Sequence, residues 1–349
     1  MNIIKILFPK RMKIAFFQLE DWESKVVREK LKGHKLEFFK GSLSLENVGK
    51  IKNFEAIAVF IYSKLERDIL EKLPRLKLIT AMSTGFDHID IEYCNRKKIV
   101  ICNVPSYGEN TVAEHTFSLI LALSRRLYNS IKRTHEQHSF ETDASLRGFD
   151  LKGKTIGIIG CGNIGKHVAR ISVGFQMNVI VYDRHKNKEL AKSLMFKYVG
   201  ISNLLKNSDI ITLHTPYTKE NHHLINKKSI QKMKDGVYII NTARGALIDT
   251  HALIENLESG KISGAALDVL EGELEIKEEM EVLKKEFKAA FDFKTILEDH
   301  MLMKMENVII TPHNAFNSWE ALNRILETTI ENIISFKDSK PKNVVLIKR

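Results

Sequence analysis

The chain has 349 residues, of which 44% are hydrophobic and 28% charged. This composition is typical of a globular protein that is long enough for two domains, and it excludes a disordered or fibrous chain. No apolar run is long enough to span a bilayer, so we expect no membrane partner. The net charge is +11, but the lysines alternate with glutamates instead of forming a basic arm, which favours a lysine-rich solvated surface and no nucleic-acid partner.

The cysteine content and the first residues bear on location. The three cysteines, Cys94, Cys102 and Cys161, lack the spacing of a metal site or a disulfide framework, which predicts a cytoplasmic location and no metal. The first eleven residues contain a few apolar side chains but no small-residue cleavage site. Because a natural first strand follows Met12, we interpret Met1 as an upstream start codon and leave the choice between Met1 and Met12 open.

Residues 12 to about 105 alternate between short apolar strands and helical patterns. Such alternation predicts a parallel sheet with helices on both faces. The loop 83–90 directly follows one of these strands, and loops at the carboxyl ends of parallel strands are where α/β proteins bind ligands. The predicted strands are Ile14–Phe17, Lys35–Phe39, Glu55–Val59, Leu76–Ala81 and Ile99–Cys102, with helices near Trp22–Leu31, Leu65–Leu73 and Asp90–Lys98.

A glycine-rich motif lies near the middle of the chain, between an apolar strand at Thr155 and an acid at Asp183. Gly160 permits a tight turn, Gly162 lets the backbone approach a pyrophosphate, and Gly165 lets the following helix pack closely on the sheet. The helix N-terminus offers free N–H groups to phosphates. Asp183 lies near the position from which a carboxylate binds the adenosine ribose, so the stretch predicts a dinucleotide site.

The residues after Asp183 leave the choice between NAD and NADP open. Arg184, His185 and Lys186 could tolerate a 2′-phosphate, whereas the carboxylate of Asp183 would repel it. We therefore favour NAD.

The rest of the chain continues the alternation with two exceptions. An apolar helical pattern from Glu109 to about His135 predicts a long buried helix that bridges two domains. A strongly charged, helix-prone stretch at 274–305, with Phe287, Phe291 and Phe293 on it, is interpreted as a surface insertion. The later strands are predicted at Ile210–Leu213, Val237–Ile240, Gly264–Leu267 and Val308–Thr311, with helices at Asp249–Ser259 and Trp319–Phe336.

Three side chains suited to acid–base chemistry follow predicted strands: Arg244, Glu273 and His313. Arginine matches a carboxylate bidentately, histidine exchanges protons near neutral pH, and a glutamate partner favours the charged imidazole. Each residue also has an alternative as a turn cation, a solvated loop acid or a structural histidine. Together at one sheet edge, they predict reduction of a carbonyl in a substrate that carries a carboxylate.

The chain resembles the D-isomer-specific 2-hydroxyacid dehydrogenases from Met12 to about Phe336, and within them the D-lactate dehydrogenase branch. The motifs are GCGNIG, INTARGALID at 240–249, GAALDVLEGE at 264–273 and TPHNAF at 311–316. The resemblance implies an α/β fold of two Rossmann-like or flavodoxin-like parallel-sheet domains. In it, an NAD-binding domain (109–315) is inserted into a substrate domain (1–108 and 316–349).

The resemblance also assigns the site. His313 is the general acid and base, Glu273 its partner, and Arg244 the residue that holds the substrate carboxylate. The amides of Thr84 and Gly85 bind the same carboxylate, while Tyr107 and Phe316 shape the pocket. The cofactor residues are Gly160, Gly162, Asn163, Ile164 and Gly165 on the pyrophosphate, Asp183 on the ribose, His214, Thr215, Pro216 and Asn221 at the adenosine end, and Thr242, Ala243, Arg244 and Asp268 at the nicotinamide.

The expected function is NAD-dependent interconversion of a small 2-oxo acid and its D-2-hydroxy acid, with pyruvate as the first choice. The alternatives are a larger branched or aromatic 2-oxo acid, or an NAD-sensing corepressor-like protein without turnover. The resemblance implies a homodimer. His115, on the long helix, is interpreted as a residue packed between the domains, not as the proton donor.

Overall fold

The computed structural model describes residues 11–273 and 293–345. The strands are β1 Lys13–Phe17, β2 Lys35–Phe39, β3 Ala56–Val59, β4 Leu78–Ala81, β5 Val100–Cys102, β6 Thr155–Ile159, β7 Asn178–Tyr182, β8 Lys197–Tyr198, β9 Ile210–Leu213, β10 Val237–Asn241, β11 Ile262–Leu267 and β12 Val308–Ile310. The α-helices are α1 Asp21–Lys30, α2 Arg67–Leu70, α3 Ile91–Lys97, α4 Glu109–Ser124, α5 Leu127–Glu136, α6 Asn163–Gly174, α7 Lys188–Ser193, α8 Ile201–Asn207, α9 Lys227–Ile230, α10 Thr250–Glu258, α11 Phe293–Lys304 and α12 Trp319–Lys337.

The chain divides into two compact units, and one is inserted in the sequence of the other. The smaller unit comprises Met1–Tyr107 and Ser318–Arg349, and the larger unit comprises Gly108–Asn317. Each unit contains one sheet with parallel pairing between its neighbouring strands. The predicted fold class of two parallel-sheet α/β domains is therefore confirmed.

The smaller unit has a five-stranded sheet in the order β2-β1-β3-β4-β5, which is the flavodoxin-like order. All residues of β3 and β4 are buried, as expected for central strands that are covered on both faces. The unit is completed by α12, which packs against β4 and α1. Ser318 caps this helix by accepting a hydrogen bond from the amide of Ala321, and its amphipathic pattern places one face in the core, as predicted.

The larger unit has a seven-stranded sheet in the order β12-β11-β10-β9-β6-β7-β8. The strand order reverses between β6 and β9, and such a switch point is where an open parallel sheet forms a ligand crevice at its carboxyl edge. The glycine motif follows β6 directly. The same edge also carries the residues that follow β9, β10, β11 and β12.

The predicted long helix at 109–135 is wrong, because the structure has two helices there. Arg126 adopts a left-handed backbone conformation with φ of 50°, which ends the helical path after α4. The carbonyl of Ser124 accepts a hydrogen bond from the amide of Phe149, and a Cβ at Gly148 would lie 2.1 Å from that carbonyl oxygen. The close approach of this second segment therefore fixes the end of α4.

The two helices also differ in burial. α4 belongs to the larger unit, where it packs against α6 and buries eight residues. α5 buries none, so the predicted burial is confirmed for α4 only. None of the helices in the described ranges combines the length and apolar character that a membrane span requires.

The predicted surface insertion at 274–305 falls partly outside the described residues, which exclude 274–292 with Phe287 and Phe291. The described remainder contains α11, which packs against α10 and β12. The sequence reading missed α7, β8, α8 and α9, all of which are short.

Candidate active site

His313 and Glu273 form a hydrogen-bonded pair in the larger unit. His313 Nδ1 lies 2.8 and 2.9 Å from the two carboxylate oxygens of Glu273, and both side chains are about four-fifths buried. Glu273 follows β11, and His313 follows β12 after Pro312. A carboxylate on Nδ1 orients the imidazole and leaves Nε2 to exchange a proton with a substrate.

The backbone of His313 is held in an uncommon conformation. Its φ is 52°, a left-handed value that non-glycine residues rarely adopt and that costs on the order of 1 kcal/mol or more. Its amide donates to the carbonyl of Thr311 at 2.9 Å. The loop after β12 thus orients the imidazole through its backbone as well as through Glu273.

Asp268, at the end of β11, anchors this loop. The side chain is almost completely buried and accepts hydrogen bonds from the hydroxyl of Thr311 and from the amides of Asn314 and Ala315, at 3.0 and 2.9 Å. Three contacts with residues on both sides of His313 fix the loop to β11. The sequence assigned Asp268 to the nicotinamide, a role that stays a prediction, and gave no hint of this anchoring.

His115 on α4 completes the network through two partners in the larger unit, and its interpretation as a residue packed between the domains stays a prediction. Its Nε2 lies 3.1 Å from Thr311 Oγ1 and 3.5 Å from Asp268 Oδ1. Burial by itself would raise the pKa of Asp268, but hydrogen bonds from His115, Thr311 and the two loop amides outweigh it and hold that pKa below its usual value. The signal in the sequence was a polar residue on an apolar helix, because buried polar groups need partners.

Arg244 follows β10 on a turn shaped by Asn241. The side chain of the buried Asn241 accepts from the amide of Ala243 and donates to the carbonyl of Arg244. Arg244 Nη1 donates to the Ala243 carbonyl at 2.7 Å. A Cβ at Gly245 would lie 2.1 Å from the backbone of Leu270, so the arginine turn packs directly on the segment that leads to Glu273.

Thr242 occupies the same turn. Its hydroxyl lies 3.1 Å from that of Thr116 on α4, and both residues are buried. α4 therefore braces the turn after β10 through Thr116 and the loop after β12 through His115.

The glycine turn after β6 fits a dinucleotide. Gly160 has φ of +93°, and a Cβ there would lie 2.5 Å from the carbonyl oxygen of His214. A Cβ at Gly165 would lie 2.1 Å from the carbonyl oxygen of Gly160, whereas Gly162 faces open space. α6 begins at Asn163 without a side-chain cap, so its first N–H groups remain available to a pyrophosphate.

Residues predicted at the adenosine end make bonds of their own in the larger unit. Asp183 accepts hydrogen bonds from the amides of Cys161 and His185, at 2.6 and 2.7 Å, so its carboxylate ties the end of β7 to the glycine turn. Asn221 is buried and donates to the carbonyl of Pro216. Burial lowers the pKa of His214 to about 3, which keeps this imidazole neutral and unsuited to donate a proton at neutral pH.

The loop after β4 in the smaller unit presents two backbone amides. The Ser83 hydroxyl donates to the carbonyl of Gly85, and that of Thr84 donates to Val104, at 2.6 and 2.8 Å. Among the residues that the structure describes, none accepts a hydrogen bond from the amides of Thr84 and Gly85. Such amides suit an anion.

The other two predicted pocket residues fall in different units. Tyr107 lies in the smaller unit, where its carbonyl accepts from Arg324 Nε at 2.5 Å. Phe316 lies in the larger unit and is half-buried.

His222, His223 and Glu271 bring one possible metal-ligand atom each within 4.8 Å of one another. The two histidine rings stack, with centroids 3.8 Å apart and 24° between their planes. His223 Nε2 lies 2.6 Å from Glu271 Oε1. We therefore interpret these two residues as a hydrogen-bonded pair and not as metal ligands. The absence of a metal stays a prediction.

A family model and several known proteins match this chain. The model is that of the NAD-binding domain of the D-isomer-specific 2-hydroxyacid dehydrogenases, and it matches residues 117–315. A 2-hydroxyacid dehydrogenase homolog of Haemophilus influenzae is 36% identical over 96% of this chain and 99% of its own length. A glyoxylate reductase of Thermococcus litoralis is 35% identical over 85% of each chain.

A solved structure extends the similarity to the fold. The D-lactate dehydrogenase of Aquifex aeolicus, crystallised with NAD and lactic acid, is 40% identical and superposes with a TM-score of 0.86. The match covers 96% of this chain and 100% of that one.

Proposed function

The chain belongs to the D-isomer-specific 2-hydroxyacid dehydrogenase family, and we propose that within it the protein reduces pyruvate to D-lactate. As a member, it is an NAD-dependent oxidoreductase that acts on the CH–OH group of D-2-hydroxy acids. The observation that carries the proposal is the His313–Glu273 pair, which follows strands at the same sheet edge as the glycine turn and Arg244. A protein that only binds NAD has no use for an imidazole that a carboxylate orients for proton transfer.

The chain's own residues perform the acid–base half of the reaction. Arg244 binds the substrate carboxylate, and its permanent charge draws electron density toward the reacting carbonyl. NADH held at the glycine turn and Asp183 would supply the hydride that the carbonyl carbon receives. His313, oriented by Glu273, donates its Nε2 proton to the carbonyl oxygen, and in the reverse direction the imidazole removes the hydroxyl proton.

The remaining site residues keep the roles that the family motifs give them. Thr84 and Gly85 bind the substrate carboxylate through their free amides. The glycine turn with Asn163 and Ile164 binds the pyrophosphate, and Asp183 the ribose. Residues at the two ends of the cofactor are His214, Thr215, Pro216 and Asn221 for the adenosine, and Thr242, Ala243 and Asp268 for the nicotinamide.

Pyruvate is favoured over other 2-oxo acids by the similarity to a D-lactate dehydrogenase across the full chain. The glyoxylate reductase among the relatives supports glyoxylate, which lacks the methyl group of pyruvate, as a second candidate. A larger branched or aromatic substrate would need space beside Tyr107 and Phe316, the residues that the family motifs assign to the pocket.

The test is a panel of 2-oxo acids reduced with NADH and with NADPH, with the chirality of the product determined. We expect pyruvate to give the highest kcat/KM with NADH and D-lactate to be the product. Higher kcat/KM for glyoxylate or 2-oxoisocaproate would overturn the choice of substrate. NADH binding without turnover on any acid would instead favour the corepressor-like alternative.

We also propose a homodimer formed through the larger unit. Leu127, Tyr128 and Ile131 on α5 are each about half exposed, and Phe140 beyond the helix is 94% exposed. Such a row of apolar side chains is typical of an interface between subunits. Sedimentation should give a dimer for the wild type and a monomer for Ile131→Asp, whereas an unchanged dimer in the variant would place the interface elsewhere.

The proposed location is the cytoplasm. The three cysteines are free and buried, as expected in a reducing compartment.

A further inference from the structure

Three consecutive residues of the turn that carries Glu273 each form side-chain or backbone hydrogen bonds with other segments. Glu271 accepts from the hydroxyl of Thr250 at 2.9 Å and lies 2.6 Å from His223 Nε2. The amide of Gly272 donates to Asp299 Oδ2 at 2.9 Å. Glu273 itself pairs with His313.

The Asp299 contact differs from the others because its carboxyl group is completely buried. Asp299 lies on α11, within the stretch that the sequence marked as a charged insertion. Its other oxygen, Oδ1, has no hydrogen-bond partner among the residues that the structure describes. A carboxyl group with so few hydrogen bonds is costly to bury, which sets the contact between Asp299 and the Gly272 amide apart from ordinary packing.

We propose that Asp299 is a positioning residue for the proton-transfer pair: by holding the Gly272 amide, it presents the Glu273 carboxylate to His313. The inference rests on the proposed function. The mechanical link is short, because only the Cα of Gly272 and the planar peptide unit that follows it lie between the bonded Gly272 nitrogen and the Cα of Glu273. A shift of about 1 Å in a catalytic group can cost up to 100-fold in rate.

Gly272 is suited to this contact. A Cβ at this position would lie 2.9 Å from Asp299 Oδ2 and 3.3 Å from Thr295 Cγ2. The turn therefore approaches α11 more closely than a side chain at residue 272 would permit. The missing side chain of Gly272 permits the close approach, and the complete burial of Asp299 keeps its carboxyl group at the contact.

The charged groups around Asp299 lie on α11 and on the turn that carries Glu273. The pKa of Asp299 is raised to about 7, with burial as the largest cause; Glu271 on the turn and Glu298 on α11 also raise it, and the Gly272 amide and His300 act in the opposite direction. Either protonation state retains a carbonyl-type oxygen as acceptor for the amide. An asparagine therefore preserves the contact, and an alanine removes it.

The experiment is a double-variant cycle with pyruvate as substrate. We expect Asp299→Ala to lower kcat about tenfold with little change in the KM for NADH, and Asp299→Asn to restore most of kcat. In a Glu273→Gln background, Asp299→Ala should have almost no further effect on kcat, because Asp299 acts through Glu273. Glu298→Gln is the matched control, since Glu298 is the neighbouring acid on α11 and pairs with His251 and Lys294 instead of the Gly272 amide.

Two additional measurements keep the inference testable if Asp299→Ala folds poorly. Gly272→Ala displaces the carboxyl group without leaving a cavity, and we expect the same loss of kcat. Hydrogen exchange of the peptide around Gly272 should accelerate in both variants before any substrate is added. Equal effects of Asp299→Ala with and without Glu273→Gln, or unchanged kcat in both Asp299→Ala and Gly272→Ala, would overturn the inference. If the wild type itself does not reduce pyruvate, the result contradicts the proposed function and not the role of Asp299.

Discussion

The glycine turn after β6 and the His313–Glu273 pair are built in opposite ways. The turn lies within one strand–helix–strand segment, and its features are backbone features: a positive φ at Gly160 and a 2.1 Å approach at Gly165. The proton-transfer pair is assembled from side chains on distant segments. His115 and Thr311, which steady it together with Asp268, are 196 positions apart.

This difference separates two kinds of sensitivity. A site formed by the backbone, such as the glycine turn, loses its ligand when a side chain is added where none fits, and it tolerates most other substitutions. A site formed by side chains, such as the His313–Glu273 pair, loses activity stepwise as each supporting contact is removed. We therefore expect variants of the two regions to affect cofactor binding and proton transfer separately.

Arg244→Ala should have the largest effect among the variants that spare the proton-transfer pair. Removal of the cation leaves the substrate carboxylate without its charged partner, and we expect kcat/KM for pyruvate to fall about 1,000-fold, since such pairs are worth about 2–5 kcal/mol. Arg244→Lys should recover only part of the loss, because an ammonium cannot bind bidentately. The dissociation constant of NADH, measured by fluorescence, should stay within about threefold. Near wild-type kcat/KM in Arg244→Ala would remove this residue from the site.

Glu273→Gln should have the next largest effect, because the carboxylate orients the imidazole of His313 through Nδ1. A glutamine side chain offers an N–H group as well as an oxygen and no longer fixes the imidazole with Nε2 toward the substrate, so we expect kcat for pyruvate reduction to fall about 10- to 100-fold. Steady-state kinetics at saturating NADH measures this loss. Near wild-type kcat in Glu273→Gln would argue against the pair.

Asp183→Ala tests the backbone site. We expect the KM for NADH to rise about tenfold, with kcat at saturating NADH retained, because the variant loses the ribose ligand and the contact with the Cys161 amide. Without the carboxylate, Arg184 and Lys186 should bring the preference for NADH over NADPH close to parity. A lower kcat at saturating cofactor would show that the two regions are not separable.

The smallest effect expected is on stability, from Asp299→Asn. The folded-state pKa of Asp299 is raised from 3.8 to about 7 by burial, so the folded protein retains a proton that the unfolded chain loses first. The wild type therefore loses stability as pH rises from about 4 through 7, whereas asparagine does not titrate. Asp299→Asn should gain a few degrees in Tm relative to the wild type at pH 8 and little at pH 5. A constant difference in Tm across this range would contradict the raised pKa.

The sequence supported the prediction of both sheets, of the glycine turn and of the three catalytic candidates, because each depends on a local pattern that precedes or follows an apolar strand. His313 and Glu273 were paired by family resemblance, and the structure places them within 2.8 Å. The roles assigned to the individual site residues remain predictions. Hydrophobic periodicity alone predicted a single helix where the structure has α4 and α5. The break between them depends on a tertiary hydrogen bond from the amide of Phe149.

Other features had no local signal. His115 differs from a solvent-facing histidine only through its contacts with Asp268 and Thr311, which lie more than 150 positions further along the chain. Asp299 is one acid among many in a charged stretch, and only its complete burial against Gly272 distinguishes it. Such assignments need the fold, because burial and long-range pairing decide them.

The central claim is that His313 transfers the proton while a separate region holds the cofactor. The most direct test measures NADH binding and single-turnover pyruvate reduction on the same sample of His313→Asn. We predict an NADH dissociation constant within about threefold of the wild type and a single-turnover rate at least about 1,000-fold lower. A rate near that of the wild type would contradict the assignment of His313 as the proton donor.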